Sequence, residues 1–150
     1  MTDKAAKPGA KLRALDIFVG RWVTQGTFRA VGGKKAAEMR AVDTYEWLPG
    51  KFFMLHHVDA RMDGVAAQSI EVMGYDIKRK CYVTRSYDDQ GESAEFTARL
   101  DGRTWEIDGE TMRFRGAFDD DGSKLSGTWD QRGGDSKWKP WLDIELRKVT

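Results

Sequence analysis

The chain has 150 residues, the usual size of one domain, and its 40% hydrophobic and 33% charged content is that of a folded globular protein rather than a disordered one. Its 25 Lys and Arg against 24 Asp and Glu leave a net charge of +1, and no basic block supplies the cationic excess that displaces counterions from nucleic acid. A single cysteine, Cys81, excludes an intrachain disulfide and a Cys-based metal cluster.

Residues 1–11 are polar and lysine-rich, without the apolar run of a secretory signal. No stretch approaches the roughly 18 apolar residues of a membrane helix. The expectation is a soluble, cytoplasmic protein that binds neither membrane nor nucleic acid. Residues 1–9 read as a flexible tail and residues 10–150 as one domain.

Leu12, Leu15 and Phe18 recur at helical spacing, so residues 10–18 predict a short amphipathic helix that Gly20 ends. Beyond it the helical period disappears. Turn signals recur along the chain: Gly32-Gly33, Pro49-Gly50, Asp63-Gly64, residues 89–91, Asp101-Gly102, Gly109, residues 120–122 and Gly133-Gly134. Such spacing, with strand-length runs between, marks an all-β sandwich or barrel. Pro140 interrupts the last strand and points to a bulge or an edge-like start there.

In the C-terminal half, a turn at Asp101-Gly102 sets Ala98 against Trp105 and Phe96 against Ile107. One at Gly109-Glu110 sets Ile107 against Met112 and Trp105 against Phe114. A loop over residues 120–123 sets Phe118 against Leu125, Gly116 against Gly127 and Phe114 against Trp129. Gly133-Gly134 then brings in Trp138, Leu142, Ile144 and Leu146. One face collects the apolar residues, and the other holds Glu95, Thr97, Arg99, Glu106, Arg113, Arg115 and Asp130. Short turns make this an antiparallel up-and-down meander of about ten strands, which closes into a barrel because closure removes exposed edges. At that strand number the lumen has room for a ligand.

The N-terminal half brings three polar residues into one row. Pro49-Gly50 pairs Trp47 with Phe52, Tyr45 with Met54 and Asp43 with His56. Asp63-Gly64 pairs His56 with Glu71, Met54 with Met73 and Phe52 with Tyr75. Asp43, His56 and Glu71 thus share one face of adjacent strands. Carboxylates on both sides of an imidazole fix its protonation and raise its pKa, as suits a general acid or base. A hydrogen-bonded structural row, a solvated outer row, or a metal site of one His and two carboxylates are the other readings of the same residues.

Whether the row faces inward depends on the route taken. Counting from Trp22 inward through Thr24, Gly26 and Phe28 turns Asp43, Tyr45, Trp47 and His56 into the lumen. Counting back from the C-terminal half, with Tyr87 and Ala94 mirroring Phe118 and Leu125, turns Arg85 and Tyr87 inward instead and brings His57 with them. At least one bulge or odd-length loop must lie between, near residues 76–81 or 87–92. Tight Pro-Gly and Asp-Gly turns fix register better than longer loops, which favours His56. The candidate ligand-lining residues are Tyr45, Trp47, Met54, Met73, Tyr75, Phe114 and Trp129, with Arg85 and Tyr87 as the alternative polar interior suited to a carboxylate.

Gly20-Arg21-Trp22, opening the first strand after a short helix, resembles the start of calycin barrels: lipocalins, fatty-acid-binding proteins and nitrobindin-type barrels. Residues 15–22, 45–50, 74–76, 86–91 and 127–129 together resemble domain-of-unknown-function family 1579, over most of the chain from about Leu15 to Val149. The resemblance implies a calycin-like barrel in which Trp22 packs beneath Arg147 or Lys148. It implies no reaction. Haem binding, as in nitrobindin-type barrels, needs an inward His beside an open pocket, and no matching C-terminal His is present; no cofactor is expected.

The aspartates at 88–89 and 119–121 lack calcium-loop spacing and read as turn formers. Cys81 follows the basic run Lys78-Arg79-Lys80 and reads as a passive thiol. Three functions remain open. The first is binding of a small, largely apolar molecule in the lumen. The second is an acid–base enzyme of isomerase or hydrolase type built on His56, Asp43 and Glu71. The third is a homodimer formed through outward apolar residues of 48–58 and 70–72.

Overall fold

A computed structural model describes residues 7–30 and 36–150. The expected tail lies mostly, and the Gly32-Gly33 turn wholly, outside the described residues. One helical turn, α1 (Ala10–Arg13), runs into a 3-10 turn (Ala14–Phe18). Ten strands follow: β1 (Gly20–Phe28), β2 (Glu38–Trp47), β3 (Met54–Met62), β4 (Val65–Asp76), β5 (Cys81–Asp88), β6 (Ser93–Asp101), β7 (Thr104–Asp108), β8 (Met112–Phe118), β9 (Lys124–Arg132) and β10 (Trp138–Lys148). All pairings are antiparallel, consecutive strands are neighbours, and β1 pairs with β10 to close the barrel.

The turns set which residues face inward. Asp63 (φ 52°) and Gly64 (φ 82°) both adopt left-handed backbone, the geometry of a two-residue hairpin whose twist matches its strands. The register there is as expected, with Met54 opposite Met73 and His56 opposite Glu71. The 120–123 loop also holds, with Phe118 opposite Leu125 and Phe114 opposite Trp129.

Three other turns lie further along the chain than the sequence suggested. Residues 48–53 form a longer connection, closed by Leu48 N–H donating to Phe53 O at 2.9 Å, so Tyr45 opposes His56 and Asp43 opposes Val58. Gly102 (φ 59°) is the first central residue of its turn, so Ala98 meets Ile107 and Leu100 meets Trp105. Gly109 N–H closes on Met112 O at 2.8 Å, which sets Ile107 against Phe114. Each pairing moves by two residues, so every side chain keeps its face.

The core is concentrated at the end that the helix enters. Leu15 and Phe18, at most 1% exposed, pack among Trp22, Tyr45, Met54, Met73, Tyr82, Trp105 and Phe118. Trp22 Nε1 donates to Phe18 O at 2.8 Å, and the Tyr82 hydroxyl donates to Lys11 O at 2.5 Å, tying the plug to the wall. Lys148 Nζ lies 4.9 Å from the centre of the Trp22 ring and donates to Ile17 O at 3.1 Å. Of Arg147 and Lys148, it is Lys148 that covers the ring, while Arg147 pairs with Glu145 at 2.6 Å.

Register slips between Pro140 and Leu142, the irregularity that Pro140 foretold. The slip takes Trp138 off the inner face on which it was expected with Leu142, Ile144 and Leu146. Leu142, Ile144 and Leu146 stay in line with the inner residues of β9, but Trp138 lands opposite Arg132 on the outer face. There Arg113 and Arg132 stack on it at 4.5 and 4.7 Å.

Candidate functional site

Beyond the plug, the lumen keeps a cavity of about 180 Å³. Its apolar wall includes Phe18, Met73, Trp105, Ile107, Phe114, Trp129 and Ile144; its polar wall is Thr24, Asp43, Tyr45, His56 and Glu71. An engineered apolar cavity of about 150 Å³ holds benzene, so this one suits a body of that order. It is smaller than the roughly 300–1,000 Å³ of drug-sized sites. Bulky rings and the helix fill the barrel at the end the helix enters.

The polar wall is one continuous network. His56 and Glu71 are directly opposed on β3 and β4, and His56 Nδ1 lies 2.9 Å from Glu71 Oε1. Asp43 sits diagonally across on β2, and its Oδ1 lies 2.6 Å from His56 Nε2. The Thr24 hydroxyl donates to the other oxygen, Asp43 Oδ2. Tyr45, directly opposite His56, lies flat on the imidazole with ring centroids 3.9 Å apart and planes 12° apart.

Carboxylates only accept hydrogen bonds, so an imidazole held between two of them carries a proton on each nitrogen. Burial works against that charge, but the hydrogen bonds to Asp43 and then Glu71, with their charges, outweigh it and lift the His56 pKa to about 9. Burial, reinforced by Asp43 and Glu71, also pushes the Tyr45 phenol well above its ordinary value and keeps it neutral. The two carboxylates aim at the ring nitrogens from opposite sides instead of converging with the ring on a common point. Among the described residues, no His, Cys, Asp and Glu cluster has a metal-holding arrangement.

Of the sequence candidates, Asp43, Tyr45, His56, Glu71, Met73, Phe114 and Trp129 meet at this cavity. Met54, Trp47 and Tyr75 do not. Met54 is fully buried in the plugged end, Trp47 Nε1 donates to Asp16 Oδ1 at 2.7 Å, and Tyr75 packs edge-on to Tyr82. The helix occupies the part of the lumen they face.

Arg85 and Tyr87 are outside the barrel, which overturns the alternative interior. Arg85 pairs loosely with Glu95 at 3.6 Å, and Tyr87 is 47% exposed. Tyr87 opposes Ser93, so the β5–β6 connection has the odd length that reverses parity, at one of the two expected places. Tyr82, Thr84 and Ser86 take the inward positions. Thr84 Oγ1 is buried without a hydrogen-bond partner among the described residues.

The sequence reading placed Thr24 inward but missed it as a member of the network; its place one strand from Asp43 was the available signal. It also missed the mouth. Ala60, Ala67, Ser69, Ser86 and Ala94 line a second space of about 360 Å³ at the end away from the helix, and Val58 borders both spaces. Small side chains on β3–β6 leave that side of the lumen open.

The remaining candidates are structural. Asp119 Oδ1 accepts from the Ser123 and Lys124 N–H groups, both at 3.0 Å, as a turn former does. Cys81 is buried. No helix among the described residues is long and apolar enough to cross a membrane.

One solved structure shares the architecture. The crystal structure of Rv2717c from M. tuberculosis is similar over 95% of this chain and 99% of that one, with a TM-score of 0.68 and 16% identity, a likeness of fold alone. A de novo designed fluorescence-activating β-barrel is similar over 91% of this chain and 97% of its own, with a TM-score of 0.49 and 13% identity. No curated protein matches the chain. Residues 7–137 match the family described as "Protein of unknown function (DUF1579)", and the chain belongs to that family.

Proposed function

We propose that the protein binds a small, largely apolar molecule in the barrel lumen. The observation that carries this reading is the cavity of about 180 Å³, with aromatic rings on one wall and a single polar row on the other. That is the composition of a small-molecule site: apolar surface for affinity and a few placed polar groups for orientation. The mouth of alanines and serines supplies an entry path. The test is a thermal-shift panel of compounds of up to about ten heavy atoms, with native mass spectrometry of the purified protein. A bound compound at 100 times its Kd stabilises the fold by about 2.7 kcal/mol. A flat panel and an empty protein remove the reading.

An acid–base enzyme, of isomerase or hydrolase type, is the second reading, favoured by three titratable groups gathered at the cavity wall. Both His56 nitrogens face carboxylates. Glu71 is then the group that meets substrate, and His56 and Asp43 are positioning residues. Turnover that survives Glu71→Gln removes this reading. A homodimer is supported by Phe53, Ile70 and Tyr87, between 43% and 48% exposed on the outer surface. Sedimentation showing only monomer at high concentration removes it.

A further inference from the structure

The Asp43–His56–Glu71 row presents no free donor to the lumen. Both His56 ring nitrogens face carboxylate oxygens, at 2.6 and 2.9 Å. The Thr24 hydroxyl is spent on Asp43 Oδ2. Glu71 is different. Its Oε1 faces His56, while Oε2 has no hydrogen-bond partner among the described residues and is not sealed from the space beside it. The Glu71 side chain keeps 18% of its surface accessible, against 7% for Asp43. Two carboxylates around one imidazolium leave the row with a net negative charge, and no Lys or Arg among the described residues lines the cavity to balance it.

Such a charge facing a narrow lumen is costly unless something with N–H groups meets it. Across the cavity stand Trp105, Phe114 and Trp129. Aromatic faces attract a cation, more strongly where water is excluded. The acceptor and the rings thus favour the same kind of guest.

The geometry points to a small organic cation as the ligand of the lumen: a protonated amine on a compact apolar body, its N–H groups donating to Glu71 Oε2 and its body against Trp105, Phe114 and Trp129. This rests on the lumen-binding reading above and assigns the ligand's head group. The same arrangement disfavours carboxylates, because an anion would meet like charge with no cation among the described lining residues to pair it.

Four probes of nearly equal size test it: benzylamine, benzyl alcohol, toluene and benzoate, titrated at neutral pH and low salt and followed by two-dimensional NMR. The expected order is benzylamine tightest, at least about ten-fold ahead of benzyl alcohol and toluene, with benzoate unbound and the shifts clustered on the cavity residues. Glu71→Gln, which keeps an acceptor for His56 and removes the charge, should cancel the benzylamine advantage and leave toluene unchanged. If toluene or benzyl alcohol binds wild type as tightly as benzylamine, the lumen still binds but the cationic head group is wrong. Benzoate binding tightest refutes it outright. If none of the four binds, the lumen reading falls with it. The wild-type series decides the matter even if the variant does not fold.

Discussion

Raising the pH withdraws the proton that joins Asp43, His56 and Glu71, and the stability of the whole barrel should register the loss. An ordinary imidazole titrates near 6.5 and His56 in the folded chain near 9. At about 1.4 kcal/mol per tenfold in proton affinity, the difference amounts to on the order of 3 kcal/mol, a large share of a typical 5–15 kcal/mol total. The sign follows from the folded state binding the proton more tightly. The contribution is fully present below about pH 6.5 and is lost as pH rises through about 9, with a slope of up to about 1.4 kcal/mol per pH unit. Urea unfolding at a series of pH values measures it, and NMR of the His56 ring gives the titration directly. His56→Gln should be less stable at neutral pH and should show a flatter pH profile between those limits. A wild-type stability that stays level or rises from about pH 6.5 to 9.5, or a His56 ring that titrates at or below 6.5, would refute the argument.

Two further substitutions test the packing that shapes the lumen. Leu15→Ala removes a fully buried side chain from the helical plug and should cost about 2–5 kcal/mol in urea unfolding; a loss below about 1 kcal/mol would mean the plug is not part of the core. Gly116 and Gly127 face one another beneath the Phe114 ring, and a Cβ on Gly127 would lie 2.3 Å from Arg115 O and 2.6 Å from Phe114 Cζ. Gly127→Ala should therefore destabilise by about 1–3 kcal/mol and displace Phe114 in NMR spectra, whereas an unchanged midpoint would show that the two strands can part without penalty.

The sequence made the two faces of the sheet easier to read than its exact pairing. Turns at Pro49-Gly50, Asp101-Gly102 and Gly109-Glu110 each admit a placement differing by two residues. Because side chains alternate with period two, Trp105, Phe114 and His56 keep their faces in either placement. That is why the Asp43–His56–Glu71 row was legible although Asp43 opposes Val58 and reaches His56 on the diagonal. One odd-length connection was enough to misplace Arg85 and Tyr87. Asp88 Oδ1 accepts from the Gln90 and Glu92 N–H groups at 2.9 and 2.8 Å, which lets that loop close one residue shorter than the Phe118–Leu125 loop it resembles. The spacing of Leu12, Leu15 and Phe18 announced a helix, but no local pattern says that a helix enters a barrel. The diversion of Met54, Trp47 and Tyr75 from ligand to core was therefore invisible until the fold was known.

Nine of the ten strand pairings join neighbours in sequence, and the tenth joins β1 to β10 across nearly the whole chain. Hairpins form from contacts already close together, whereas this seam must first overcome the entropy of closing a long loop. Closure therefore belongs late in folding, after the meander has formed. Until then two raw edges are exposed, with Trp22 on one and Leu142, Ile144 and Leu146 on the other. The step that completes the container is also the one during which neighbouring chains can most readily join edge to edge.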